Sequence, residues 1–138
     1  MAKAQASIEF LLLITAFVAA LGLLLPAITL AEKASLLGSE ARNAESFLAS
    51  VKGAADELRV FSEGTERIVA AKNLLPWRVH AEGKTVFVSV KENESGKGFT
   101  LSKNIGAEIN FTEKEFREKI SLRLWREGSR LLVEDSQP

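Results

Sequence analysis

The sequence predicts an α+β fold in which a long N-terminal α-helix packs on a small antiparallel β-sheet. Three features of the chain support this prediction: an uncharged apolar segment at residues 10–31, an apolar stripe of helical period that continues beyond it, and alternating apolar and polar residues in the second half. A chain of 138 residues has room for one such helix and one compact head.

The apolar segment, residues 10–31, is long enough to cross a lipid bilayer. Its 22 residues would form a helix of about 33 Å, and the hydrocarbon core is about 30 Å thick. By itself the segment fits a membrane anchor, a secretory signal peptide or a helix that is retained for another purpose. The signal-peptide interpretation has some support, because Lys3 is a short basic region and Ala31, just before Glu32, is an acceptable cleavage site.

Two features oppose removal of this segment as a signal peptide. Glu9 places an acid at the start of the apolar run, and the helical pattern continues in register after residue 31. The stripe consists of Leu23, Ala27, Leu30, Ala34, Leu37, Ala41, Ala44, Leu48, Val51, Ala55 and Leu58. We therefore predict one helix of about 55 residues and about 80 Å. Charged residues of the same helix, Glu40 among them, lie off the stripe.

The head is predicted from short alternating segments separated by turns. Strands are expected around residues 77–81, 86–90, 99–101, 109–111, 120–124 and 131–133, with turns at 82–84 and 127–129 and a polar loop at 91–98. Thr112 and Glu115 have the spacing of a helix-capping box, which predicts one or two helical turns there. About four or five strands would then form one sheet, and one face of that sheet would need the helix to cover it.

The composition argues against several classes of function. Lys+Arg and Asp+Glu number 18 each, whereas a nucleic-acid-binding module would carry a basic surplus. There is no cysteine and one histidine, so disulfides and thiolate chemistry are excluded. His80 shares a predicted strand face with Arg78 and Glu82 and is expected to be solvated. We find no phosphate-binding loop, metal-ligand cluster or nucleophile motif, and we predict no enzymatic activity, cofactor or metal.

A short motif precedes the apolar segment. Lys3 and Ala4 are followed by Gln5, Ser7 and Glu9 in the pattern Gln-x-Ser-x-Glu. With the apolar helix behind it, this N-terminus resembles those of archaeal type IV pilin-like proteins with class III signal peptides. The resemblance is close over about fifteen residues and concerns only the architecture beyond them.

The resemblance implies a specific maturation and assembly. A prepilin peptidase would cut between Ala4 and Gln5, so that the helix is retained. The carboxylate of Glu9 would pair with the N-terminal amine of a neighbouring subunit, and the helix at Gly22 and Pro26 would either kink mildly or unwind as subunits pack. The implied partners are further copies of the subunit, an assembly ATPase and a membrane platform protein. The chain would reside in the membrane before assembly and in an extracellular surface filament afterwards.

On this interpretation the chain divides into four segments. These are a leader at 1–4, a transmembrane or filament-core helix at 5–31, an amphipathic continuation at 32–62 and a β-rich head at 63–138.

Asn93 and Asn110 begin N-glycosylation sequons. The alternative function is a secreted or single-pass membrane-anchored binding module that does not polymerise.

Overall fold

The structure is a computed structural model that describes residues 2–61, 64–92 and 96–136, with side chains from residue 7 onward. It confirms the α+β fold class. The elements are α1 (Ala2–Val60), β1 (Glu66–Lys72), β2 (Trp77–Glu82), β3 (Thr85–Lys91), β4 (Gly98–Asn104), β5 (Glu108–Ile109), β6 (Phe111–Phe116), β7 (Lys119–Glu127) and β8 (Arg130–Asp135).

The chain divides into two compact units. The N-terminal unit is Met1–Leu36, and within its described residues it consists of the first part of α1. The C-terminal unit is Leu37–Pro138, which contains the rest of α1 and all eight strands described.

The strands of the C-terminal unit form two four-stranded sheets, with orders β1-β7-β8-β5 and β4-β3-β2-β6. Pairing is antiparallel except between β5 and β8. The strand segments predicted from alternation are confirmed except for residues 109–111, which divide between β5 and β6 in different sheets. The expected single sheet of four or five strands was an underestimate. Strand β1 was missed because it buries only Val69, so its sequence lacks the alternation of a strand with one face in the core.

Both predicted hairpin turns are present. Gly83 and Gly128 have φ angles of 59° and 61°, and each is the first of two residues that join neighbouring antiparallel strands. Glycine in this first position is typical of the II′ turn, whose twist matches that of the strands it connects.

The short helix predicted from Thr112 and Glu115 is absent. These residues belong to β6, which pairs with β2 through Trp77↔Phe116 and Arg78↔Glu115. The capping-box pattern was overridden because backbone pairing with a central strand satisfies the same amide groups that a helix would use.

The core of the C-terminal unit lies between α1 and the two sheets. The predicted stripe is confirmed here for its buried members Ala44, Leu48, Val51, Ala55 and Leu58. Phe47 and Ala54 are also buried, so the covered face is wider than the stripe. Glu40, which lies off the predicted stripe, is 0% exposed, so burial on α1 extends to a charged residue beyond the stripe.

Candidate functional site

The apolar side chains described for residues 7–35 of the N-terminal unit are exposed. Every residue from Ser7 to Ser35 is exposed, and Leu23 reaches 79%. Residues 10–14 are five consecutive large apolar residues, which place apolar groups on every side of the helix. A helix that is apolar all round is stable in lipid or packed among other helices, and it is unfavourable in water. By length and composition, α1 can cross a membrane.

The two threonine hydroxyls within the apolar segment form hydrogen bonds to the helix backbone. The Thr15 hydroxyl donates to the Leu11 carbonyl at 2.7 Å, and the Thr29 hydroxyl donates to the Pro26 carbonyl at 2.9 Å. These bonds remove the cost of bringing two hydroxyls into a non-aqueous environment. The segment is therefore suited to burial despite its threonines.

Pro26 and Gly22 lie inside α1 without ending it. Proline has no N–H, so the carbonyl of Gly22 lacks its usual helical donor four residues later. This missing bond makes the turn between the two residues the weakest in the apolar segment. Unwinding of this turn during assembly stays a prediction.

The motif residues lie at the start of α1. Ser7 and Glu9 are exposed, and within the described residues the Glu9 carboxylate has no hydrogen bond or ion pair. It is thus available to a group from outside the chain. Lys3, Ala4 and Gln5 fall within α1, while their side chains are outside the described residues.

A buried carboxylate joins α1 to the β1–β2 loop in the C-terminal unit. The Leu74 amide donates to Glu40 Oε1 at 3.0 Å, and the Trp77 indole N–H donates to Oε2 at 2.6 Å. Trp77 is 0% exposed and packs on Phe47 with ring centroids 5.8 Å apart. We call these two hydrogen bonds the Glu40 contact. Within the described part of the chain no cation pairs with Glu40, so neutral donors alone stabilise its buried oxygens.

Asn73 organises the loop that supplies both donors. Its side-chain amide donates to the carbonyls of Leu75 at 2.8 Å and Phe116 at 3.1 Å, while its backbone amide donates to the Glu118 carbonyl at 3.2 Å. Asn73 is buried, and these bonds fix the loop against the turn that follows β6. One feature of the sequence could have indicated the Glu40 contact: Glu40 lies four and seven residues before the buried Ala44 and Phe47, on one helix face.

The remaining predicted residues lie on the sheets. His80 is half-buried and lies on the same face of β2 as the exposed Arg78 and Glu82, as expected. It stacks on Phe87 with ring centroids 4.8 Å apart. Asn110 is exposed between β5 and β6, where its side chain is accessible. Asn93 is outside the described residues. Among the described residues, no group of three or more His, Cys, Asp or Glu is placed to hold a metal ion.

No protein-family model, curated protein or solved structure matches this chain.

Proposed function

We propose that this chain is a structural subunit of an archaeal type IV pilus-like surface filament. The observation that carries the proposal is the exposed apolar helix at residues 7–35, with Glu9 near its start unpaired among the described residues. In the proposed pathway the helix first resides in the membrane. After a prepilin peptidase cuts between Ala4 and Gln5, an assembly ATPase and a platform protein transfer the subunit into the filament, where neighbouring helices replace the lipid.

Glu9 has the central role in this assembly. An acid at the edge of a membrane span is unfavourable and marks a functional group. Pairing with the N-terminal amine of the neighbouring subunit would neutralise both charges and define the axial register between subunits. If Gln5 cyclises and loses its amine, neutral amide donors take this place.

The second candidate is a membrane-anchored or secreted binding module that does not polymerise. The same apolar helix favours it, because a helix long enough to cross the bilayer is sufficient for anchoring. This candidate gives no role to Glu9 or to the motif around it.

Mass spectrometry of the mature N-terminus separates the candidates. We expect a start at Gln5, where the leader has been removed and the helix retained. A start at Glu32 would instead identify the apolar segment as a cleaved signal peptide, and an intact Met1 would favour a plain anchor.

Substitution of Glu9 then tests polymerisation itself. Glu9→Gln is expected to leave cleavage and membrane insertion intact but to reduce filament yield strongly, because breaking a buried charged pair costs about 3–5 kcal/mol. The measurement compares filaments in sheared surface fractions with processed monomer in membranes. Glu32→Gln, an exposed change beyond the apolar segment, is the matched control. Normal filament yield from Glu9→Gln would remove Glu9 from assembly.

A further inference from the structure

A surface cleft of about 530 Å³ lies where α1 ends in the C-terminal unit. Four cationic side chains line it, from four separate parts of the chain: Arg59 at the end of α1, Lys84 in the β2–β3 turn, Arg126 on β7 and Arg130 on β8. We call it the basic cleft. Glu108 is the one carboxylate among the lining residues, so four positive charges face one negative charge in a chain whose formal net charge is zero.

The cations of the basic cleft are weakly neutralised. The Arg130–Glu108 pair is 3.7 Å apart and the Arg59–Asp56 pair is 3.9 Å apart, both too long for a hydrogen bond. Within the described residues Lys84 has no side-chain hydrogen bond or ion pair. The positive potential therefore remains available to a ligand.

A charged surface patch formed by β2, β6 and the residue after β6 differs from the basic cleft, because its arginines are paired with a carboxylate. Arg117 binds Glu115 at 2.9 Å, and Arg78 lies 3.6 Å from the same carboxylate. The hydrogen bond from Arg117, with the nearby positive charge of both arginines, lowers the pKa of Glu115. Two of the cations in that patch share a carboxylate, whereas the basic cleft has a surplus of cations.

The backbone holds the basic cleft in shape. Arg126 donates to the carbonyls of Gly128 at 2.7 Å and Arg59 at 3.1 Å, so its guanidinium bridges the β7–β8 turn and the end of α1. Gly106 has a φ angle of 76°, and a Cβ there would lie 3.1 Å from Arg59 Nη1. Glycine at this position thus lets the Arg59 guanidinium lie directly on the loop.

A second anchor fixes the position of Lys84. The Lys84 carbonyl accepts a hydrogen bond from the Ile105 amide at 2.9 Å, and the Gly83 carbonyl accepts one from the Ile109 amide at 2.8 Å. These bonds tie the β2–β3 turn to the segment that carries Glu108. Because the backbone of this turn is already held in place, ligand binding has to order only the Lys84 side chain.

We propose that the basic cleft binds a small organic anion that carries two or more phosphate or carboxylate groups, of which sugar phosphates and sugar acids are examples. Guanidinium groups form paired hydrogen bonds with such oxyanions, and the volume is within the range of small-molecule sites. No aromatic side chain is among the lining residues, so the cleft lacks the stacking surface that a nucleobase would use. The ligand is either a free molecule of this kind or one unit of an anionic surface polysaccharide. This binding does not depend on polymerisation.

Isothermal titration calorimetry on the full chain in nonionic detergent tests the proposal. The probes are fructose 1,6-bisphosphate for a free ligand and polygalacturonate for a polymer, with fructose and dextran as uncharged controls. We expect saturable binding of at least one anionic probe, no binding of its uncharged control, and weaker binding at higher salt. Binding of the bisphosphate supports a free ligand, and binding of polygalacturonate alone supports a polymer.

Charge-matched variants localise the binding. Arg130→Gln and Lys84→Gln should each weaken it about three- to tenfold, since one charged contact at an exposed site contributes up to about a factor of ten. Arg123→Gln is the control: it removes the same charge from another pair separated by 3.7 Å, and binding should change less than about twofold. Glu108→Gln should strengthen binding. Equal weakening by Arg123→Gln and Arg130→Gln, or no saturable binding of either anionic probe, would overturn the proposal.

Discussion

Leu58 and Leu30 occupy equivalent places in the apolar stripe of α1, yet Leu58 is 1% exposed and Leu30 is 63% exposed. The residues of α1 in the C-terminal unit bury their stripe under two sheets, whereas those in the N-terminal unit leave theirs uncovered. A helical stripe therefore predicts that a face will be buried without identifying what buries it. Residues 7–35 are exposed, and the proposed function covers them first with lipid and then with other subunits.

Truncation of α1 should have the largest effect, because it removes first the exposed part of the helix and then the buried part. A chain beginning at Ala34 is expected to be soluble and monomeric, because it loses the uncovered segment and keeps the buried face. A chain beginning at Gly64 should aggregate, since it exposes the core surface that α1 covers. Size-exclusion chromatography with light scattering measures both outcomes. Equal solubility and thermal stability of the two chains would show that α1 does not stabilise the sheets.

Matched leucine substitutions sharpen the comparison within the full chain. Leu58→Ala should lower the free energy of unfolding by about 2–5 kcal/mol, because it leaves a cavity in a packed core. Leu30→Ala should change it by less than about 0.5 kcal/mol. Thermal unfolding in detergent, followed by near-ultraviolet circular dichroism, reports the state of the C-terminal unit. Similar losses for both variants would contradict the division between covered and uncovered faces.

Substitution of Glu40 should have the smallest effect on stability, because it changes only the two hydrogen bonds of the Glu40 contact. Glu40→Gln keeps the side-chain size but replaces one acceptor by a donor, which leaves either the Trp77 indole or the Leu74 amide unsatisfied. We expect a loss of about 1–3 kcal/mol. Glu45→Gln, an exposed change on the same helix, is the control and should have little effect. Tryptophan fluorescence during urea unfolding provides the measurement, and equal stability of the two variants would mean that the contact contributes nothing.

The sequence predicted those elements whose local residue pattern depends directly on their burial or backbone conformation. Strands β2, β3 and β7 alternate because one face is buried, and Gly83 and Gly128 mark turns through backbone geometry that few other residues adopt. The apolar helix could also be predicted, because the length of an uncharged apolar segment is enough to indicate a helix that can span a membrane.

The missed features depend on residues distant in sequence. Glu40 is buried only because donors at residues 74 and 77 meet it, and its charge alone argued for water. Residues 112–115 form a strand because β2 lies beside them. The basic cleft was not predicted, since its four cations lie on separate elements that converge only in the folded unit.

The pairing of β1 with β7 also governs when the C-terminal unit can fold during synthesis. Val69 pairs with Leu122, so about 50 further residues must be made before β1 finds its partner, which takes roughly 3–10 s at about 5–20 residues per second. Strands β2, β3 and β4 pair with near neighbours and can associate earlier, because short loops close at lower entropic cost. Until the ribosome releases β7, the part of the core that β7 contributes is missing, while the apolar segment has already been synthesised. Early delivery of that segment to the membrane would keep the unfinished chain from aggregating.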